Sequence, residues 1–334
     1  MPTRNLAFNT EKVFDNADKI VSFASKELIK SYKSALDDIR LKIVKLYEAY
    51  GISGELTSAQ ATQFMRLSGM ESEIVKIMTP YLEANKELLQ DMSVISFDSG
   101  YFTGGWAIDQ ATGVSLDWAM IDDTAVRAAA GIGGEVKVLE GLMTNKEILK
   151  HQKVLDKAFT NYGKDSRKWI SREIKQGLIQ GESIPKVTKR IKGALGKSYN
   201  SSMLIARTEV LRSSGLGSQI SYAEARDQGV EMLETWDATL DDRTRPSHVA
   251  ADGLQMNNET GLFDLPWGQY AGPHRSGIAA EDIQCRCRTV PEIEGYSPSM
   301  RNVRGEGLQP YQTADAWRRK KGLTKNRYGQ KYNL

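Results

Sequence analysis

Apolar residues at helical spacing dominate the N-terminal part of this sequence and constrain its fold more than any other feature. They are Leu28, Tyr32, Ala35, Ile39, Ile43, Leu46 and Tyr50. Steps of three and four residues place them on one face of an α-helix, so the pattern predicts a helix from about Glu11 to Tyr50. Such a stripe usually packs inside its own chain, but a helix of about 40 residues is long for one domain. Self-association or docking on another protein is therefore the alternative.

Weaker patterns predict how the chain continues towards residue 145. Helices are expected at Ser58–Leu67 and Glu71–Asp91, with a break at Gly69. From Val94 to Gly134 aromatic residues stand among glycines and the helical period is lost, which favours a loop or a short hairpin. Within that stretch, Ala125–Ala130 is expected to form a short helix.

Helical and then strand-like patterns follow in the second half of the chain. A helical hairpin is expected from Arg167–Leu178 and a second arm that begins at Ser183, followed by a separate long helix over Ser201–Asp227. Small residues in the long helix allow close approach of another helix or of a sheet. Val230–Ala238 is predicted to be a strand, and Ile283–Pro291 the last strand.

These patterns predict an α+β fold, mostly α-helical with long helices in the N-terminal part. A small antiparallel sheet should pack on a long helix in the C-terminal part. The expected regions are a helical part over residues 1–93, an irregular or mixed connection over 94–145, a domain over 146–296 and a tail over 297–334. The tail has nine Lys or Arg against two acids and is expected to be extended or partly disordered.

Composition excludes several classes of protein. The net charge of +3 is too small to predict a nucleic-acid partner by itself. No apolar run approaches the ~20 residues that span a bilayer, and no secretory leader precedes the charged N-terminal sequence. We therefore expect no membrane partner, and a chain that stays in a cytosol or travels inside something assembled there. Two cysteines, Cys285 and Cys287, do not make a disulfide framework.

Three short segments in the C-terminal half stand in a recognisable order. They are Ala206-Arg207-Thr208-Glu209, then the stretch from Thr239 through Asp-Asp-Arg-Thr to Asp252-Gly253, then Ile283-Gln-Cys-Arg-Cys-Arg-Thr289. This set resembles the phage Mu F-like head morphogenesis family, the minor head proteins, over about Gly163–Pro291. The family often has a cysteine after the Arg-Thr pair and another three residues on, where this sequence has Arg245 and His248.

The resemblance implies a virion protein of few copies in the head of a tailed phage, near the portal vertex. Such a protein would be assembled in the host cytoplasm and act in head assembly and in DNA packaging or ejection. The portal protein and other head proteins would be its partners. The resemblance also implies that the domain over residues 146–296 is the Mu F-like head morphogenesis domain.

Four side chains could bind a structural zinc ion. They are His248, His274, Cys285 and Cys287, both cysteines and two of the three histidines in the chain. In a flat strand residues i and i+2 lie about 6.5–7 Å apart, whereas two sulfurs on one zinc lie about 3.7 Å apart. The strand would have to bend at Arg286. The alternative is that the two cysteines pack as small buried hydrophobic residues.

A second set of residues predicts a structural role rather than catalysis. It comprises Arg207, Glu209, Asp242, Arg243, Thr244 and Asp252. Asp241 and Asp242 can accept backbone N–H groups in a turn, and Thr244 can cap a short helix that ends at Gly253. Arg243 could pair with either aspartate, with Glu209 or with Asp252. Arg207 and Glu209 diverge by about 200° on a helix, so one should point inward and the other outward.

Two basic clusters could neutralise the phosphates of packaged DNA without sequence preference. One is the helix face Lys186, Lys189, Arg190 and Lys192. The other is the tail with Arg318, Arg319, Lys320, Lys321, Lys325, Arg327 and Lys331. Trp317, Tyr328 and Tyr332 stand among the tail charges and could stack on bases. The alternatives are a solvated helix face for the first cluster and an acidic protein partner for the second.

Two other hypotheses compete with that of a head protein, which would not be an enzyme. The first is a zinc-dependent hydrolase or nuclease built on His248, Cys285, Cys287 and Asp242, with Glu281 or Asp282 as general base. With only three histidines, the chain has few groups that could transfer protons near neutral pH. A further enzymatic alternative, an ADP-ribosyl transferase, would need a paired-glutamate element that is missing. The second is a non-specific DNA-binding accessory protein.

Overall fold

The computed structural model describes residues 6–50, 69–118, 123–132, 145–293, 300–303 and 306–332. Helices in these ranges are α1 Leu6–Tyr50, α2 Met70–Thr112, α3 Asp123–Ala129, α4 Asn145–Ile179, α5 Ile184–Asp227, α6 Pro246–Ala251, α7 Ala279–Asp282 and α8 Ala314–Lys320. Strands are β1 Met232–Asp237, β2 Phe263–Leu265, β3 Gly268–Tyr270, β4 Arg288–Ile293, β5 Met300–Val303 and β6 Gly307–Pro310. The predicted α+β class is confirmed. Each described helix is too short or too polar to cross a bilayer.

The chain divides into two compact units. A helical unit comprises Val21–Asp91 and Gln152–Ala206, and a mixed unit comprises Met1–Ile20, Met92–His151 and Arg207–Leu334. The boundaries of both units fall within or beside the long helices, whereas the sequence placed its domain boundaries in the connections. The domain boundaries expected from the sequence stay a prediction.

The N-terminal apolar stripe forms part of the core of the helical unit. Leu28 and Ala35 are fully buried, and Ile39 and Ile43 are nearly so. The Tyr32 hydroxyl, on the same stripe, is hydrogen-bonded to the hydroxyl of Tyr162. The stripe is therefore covered by its own chain where the structure describes it, and the alternative of a partner-binding stripe loses its support.

Helices α2 and α5 approach each other closely in the mixed unit, through glycine and serine. A Cβ atom added at Gly217 would lie 2.1 Å from the carbonyl oxygen of Phe97, and one at Gly100 would lie 2.0 Å from that of Ser214. The Ser218 hydroxyl donates to the Gly100 carbonyl at 3.1 Å. The small residues of the long helix thus serve the close contact that the sequence analysis expected.

A two-stranded antiparallel sheet packs on the C-terminal end of α5. Strands β1 and β4 pair so that Met232 lies opposite Ile293 and Asp237 opposite Arg288. Met232 and Ile293 pack with Tyr222 of α5. The prediction of a small antiparallel sheet on a long helix is therefore confirmed.

The expected extended or disordered tail is wrong for the described part of residues 297–334. Strands β5 and β6 form an antiparallel hairpin, and α8 follows. Val303, Ala314, Trp317 and Tyr332 are buried in one core cluster with Trp236, Phe263 and both cysteines. The basic composition hid these apolar residues, which supply the packing energy that holds the segment.

Two further expectations are corrected, and one lies outside the structure's description. Helix α2 continues to Thr112, so the loop or hairpin expected after Val94 is wrong, because the glycines there serve helix packing instead of turns. The second hairpin arm and the long helix are one helix, α5. The expected helix Ser58–Leu67 lies outside the described residues.

The close helix contact predicts opposite effects of alanine at two neighbouring glycines. Gly217→Ala should lower the free energy of unfolding by about 1–3 kcal/mol, because the new methyl group overlaps the Phe97 carbonyl. Gly215→Ala is the matched control, since its Cβ would meet no atom within 4 Å, and it should stabilise the helix by up to about 1 kcal/mol. Urea unfolding of both variants measures the difference, and equal effects would contradict the contact.

Candidate functional site

The turn after β1 is built on Asp241 rather than on its neighbour Asp242. The Asp241 carboxylate accepts the backbone N–H of Arg243 at 2.9 Å and the guanidinium of Arg286 at 2.7 Å. Burial alone would raise the pKa of Asp241, but Arg286 and Arg243 lower it to about 2. Asp242 is exposed. Of the four partners considered for Arg243, the structure pairs it with Asp241, at 3.3 Å.

Asp252 is the centre of a buried ion-pair network. Its carboxylate accepts hydrogen bonds from both terminal nitrogens of Arg301, at 2.6 and 2.9 Å. It also accepts hydrogen bonds from the backbone N–H groups of Ala238 and Ala314, each at 2.7 Å. The Asp252 and Arg301 side chains are 1% and 3% exposed. Asp252 thus pairs with Arg301 and not with Arg243, which the sequence had suggested as one possible partner.

Asp237 extends the same network to the strand pair. Its carboxylate lies 2.7 Å from Arg301 and 2.6 Å from Arg288 on β4. Burial would raise the pKa of Asp237, but the two guanidinium groups lower it. The sequence analysis missed Arg301 because it was counted with the basic tail, and no local pattern separates it from the other cations there.

Thr244 does not cap helix α6. The N-cap residue is Arg245, without a side-chain cap bond, and Pro246 follows in the first turn. The Thr244 hydroxyl instead donates to the carbonyl of Thr239 at 2.5 Å. The helix ends at Ala251, close to the predicted Gly253, whose φ is +83°.

Glu209 and Arg207 lie on different sides of α5, as predicted. Glu209 is buried and lies 3.1 Å from Arg212 and 3.1 Å from His151, while Arg207 is exposed. Burial would raise the pKa of Glu209, but Arg212 and His151 lower it to about 2. Glu209 therefore has a structural ion pair within its own helix.

Three candidate metal ligands come together in the core. The Nδ1 atom of His248 lies 3.2 Å from Cys287 Sγ and 3.6 Å from Cys285 Sγ, and the three ligand atoms lie within 4.8 Å of one another. All three residues are buried. Strand β4 begins at Arg288, after both cysteines, and Gln284 has a φ of +55°. The cysteines therefore lie in an irregular segment between a turn and β4 rather than in a flat strand, and the geometric objection to their meeting disappears.

His274, the fourth candidate, lies outside this group. It is buried, and its Nδ1 atom lies 3.1 Å from the carbonyl oxygen of Asp282. The Asp282 carboxylate accepts the hydroxyl of Ser276 at 2.7 Å and the backbone N–H of Gly277 at 2.6 Å. Asp282 is therefore occupied in holding this loop, which weakens its candidacy as a general base.

The basic clusters are only partly available to a partner. Lys186, Lys189 and Lys192 are exposed, but Arg190 pairs with Glu182 at 2.6 Å and Glu173 at 3.4 Å.

In the second cluster Arg318 is buried and lies over the Tyr332 ring, Arg319 pairs with Asp315 at 2.7 Å and Lys321 with Glu306 at 2.9 Å. Lys320 is exposed. Trp317 and Tyr332 are buried, so their predicted stacking on bases is wrong, while Tyr328 is exposed.

The buried network predicts a large effect of removing Arg301. Arg301→Met should lower the free energy of unfolding by about 3–5 kcal/mol, because Asp252 is left as a buried charge without its cation. Arg319→Met is the matched control, since Arg319 and Asp315 are largely exposed and such pairs contribute about 0–1 kcal/mol. Urea unfolding followed by fluorescence of the core tryptophans measures both, and equal effects would contradict the network.

Comparisons with known proteins cover the segments described above. Residues 168–290 match the family described as phage Mu protein F like protein. The minor head protein GP7 of Bacillus phage SPP1 is 30% identical over 298 residues, which cover 89% of this chain and 91% of that protein.

A protein of Enterococcus faecalis named NAD(+)--arginine ADP-ribosyltransferase EFV is 25% identical over 292 residues. The match covers 87% of this chain but only 56% of that protein. No solved structure matches the chain. The similarity to the SPP1 protein spans nearly the whole of both chains, and this chain therefore belongs to the phage Mu F-like family of minor head proteins.

Proposed function

We propose that this minor head protein acts at the portal vertex of a tailed-phage head, in head assembly and in DNA packaging or ejection. The observation that carries the proposal is the similarity to a minor head protein of phage SPP1 over about nine-tenths of each chain. The partners would be the portal protein and neighbouring head proteins, and the location would be the interior or base of the virion head.

A structural rather than enzymatic role is part of this proposal. The carboxylates of Asp237, Asp241, Asp252 and Glu209 are all engaged in buried or half-buried ion pairs with arginines. Carboxylates that are bound to guanidinium groups in this way are poorly placed to transfer protons to a substrate. The transferase named among the relatives extends far beyond the matched region, so its name gives little support to an activity in this chain.

The portal location predicts a stable complex with one head protein but not another. A tagged full chain co-expressed with the portal protein of its own phage should retain that protein through affinity purification and gel filtration. The major capsid protein of the same phage, co-expressed separately, is the control. Retention of the capsid protein alone, or incorporation into heads assembled without a portal, would contradict the vertex location and leave the family assignment intact.

We further propose that the exposed lysines of α5 contact packaged DNA. Lys186, Lys189 and Lys192 are exposed on one helix within the helical unit. Lysines placed in this way neutralise phosphates and release counterions, without reading sequence. Arg190 is held by Glu182 and Glu173 and would contribute less. Exposed Lys320 and its neighbours Lys325, Arg327 and Lys331 offer a second set of cations.

Neutralising the α5 lysines should weaken DNA binding at low salt. The triple variant Lys186→Gln, Lys189→Gln, Lys192→Gln should reduce the slope of log affinity against log salt by up to about 3, because three phosphate contacts are lost. A matched control removes the same charge from exposed lysines of α1, with Lys26→Gln, Lys33→Gln and Lys45→Gln. Filter binding to duplex DNA measures both. Equal losses would mean that net charge, not this face, determines binding.

Deletion of the C-terminal segment is unsuitable for testing the second set. Trp317 and Tyr332 belong to the core cluster, so deletion would remove part of the core together with the cations. Substitution of Lys325 and Arg327, which are exposed, would remove charge without removing a core residue.

A further inference from the structure

We propose that His248, Cys285 and Cys287 bind a zinc ion that joins helix α6 to the irregular segment before β4. The ligand atoms come from two distant segments, because Cys285 and Cys287 follow His248 by 37 and 39 residues. The two cysteines belong to the same buried cluster as Trp236 and Phe263, and the His248 ring lies 6.1 Å from that of Trp236. The proposal does not depend on the portal location or on DNA binding.

The spacing of the three atoms fits one tetrahedral ion. With Zn–S near 2.3 Å and Zn–N near 2.0 Å, a nitrogen and a sulfur on one zinc should lie about 3.5 Å apart. His248 Nδ1 lies 3.2 Å from one sulfur and 3.6 Å from the other. Two thiolates and one imidazole favour zinc, whereas magnesium and calcium prefer oxygen ligands.

Groups around the three atoms orient them as the surroundings of a metal site should. With Nδ1 facing the sulfurs, His248 Nε2 lies 2.9 Å from Glu281 Oε2, which also accepts the Ser247 hydroxyl at 3.0 Å. A carboxylate on the far nitrogen fixes the ring and the tautomer of a metal-binding histidine. The Trp267 ring stacks on the imidazole at 5.2 Å between centroids. The backbone N–H of Cys287 donates to Cys285 Sγ at 3.4 Å.

No fourth His, Cys, Asp or Glu ligand atom joins the group in the ranges that the structure describes. His274 and Cys287 border the same cavity of about 20 Å³, which has room for one water molecule. His274 Nε2 is buried and has no hydrogen-bond partner, while its Nδ1 faces a carbonyl. We assign the fourth position to a water molecule that donates to His274 Nε2. His274 thus acts beside the site and not as a ligand.

The ion would also fix the position of Arg286, the residue between the two cysteines in the sequence. Arg286 pairs with Asp241, and Asp241 organises the turn that precedes α6. Holding Cys285 and Cys287 in place holds Arg286 towards this carboxylate. Zinc binding would therefore couple the start of β4 to the turn after β1. The free energy of zinc binding would add to the free energy of folding.

Metal content of the purified full chain tests the proposal. Protein expressed in zinc-supplemented medium should contain about one zinc ion per chain by mass spectrometry of the metal. The Cys285→Ser/Cys287→Ser double variant should contain none. His151→Gln is the control for a histidine outside the coordination sphere, since His151 lies 3.1 Å from Glu209, and it should keep the zinc.

Cobalt replacement tests the wild-type chain itself, in case the double variant fails to fold. Protein unfolded with a chelator and refolded with Co²⁺ should show thiolate-to-cobalt charge transfer and the visible bands of a tetrahedral ion. Absence of both zinc and these bands in the wild type would overturn the proposal. So would zinc retained by the double variant, and loss of zinc in His151→Gln would overturn the assignment of ligands.

Discussion

The buried pair of Asp252 and Arg301 is the interaction on which the C-terminal half of this protein depends. The Asp252 carboxylate, which directly follows α6, accepts hydrogen bonds from three other segments, at Ala238, Arg301 and Ala314. A buried charge is tolerated only when its partner and its hydrogen bonds are all present. The pair therefore makes the folding of residues 300–332 a condition for the stability of the sheet and of α6.

The three candidate metal ligands stand on this frame. Helix α6 carries His248 and ends next to Asp252, while β4, which follows the two cysteines, is joined to Asp237 by Arg288. The Asp241 turn lies between them and receives Arg286. Placement of the thiols beside the imidazole is thus an outcome of several ion pairs, each formed between segments far apart in the chain. These ion pairs join distant segments of the C-terminal part of this chain.

Much of this arrangement could be predicted from residue patterns, and the exceptions have physical reasons. Periodicity located α1 and β1. The Asp-Arg turn and the Cys-x-Cys pair located the segments that hold the candidate metal ligands. Gly100 was interpreted as a turn residue, because local sequence does not tell a helix contact from a loop. Arg301 was counted as a tail cation, and His274 as a ligand, because pairing across the fold is decided by distances that no local window contains.

The glycine contact between α2 and α5 has a consequence for motion within the mixed unit. Backbone atoms meet there without side chains between them, at Gly100 against Ser214 and at Gly217 against Phe97. Sliding either helix by one residue would drive a bulkier side chain, such as Tyr101 or Leu216, into the opposing main chain. Within the mixed unit the two helices are consequently held in register at this contact, and a shift of one along its axis requires a shift of the other.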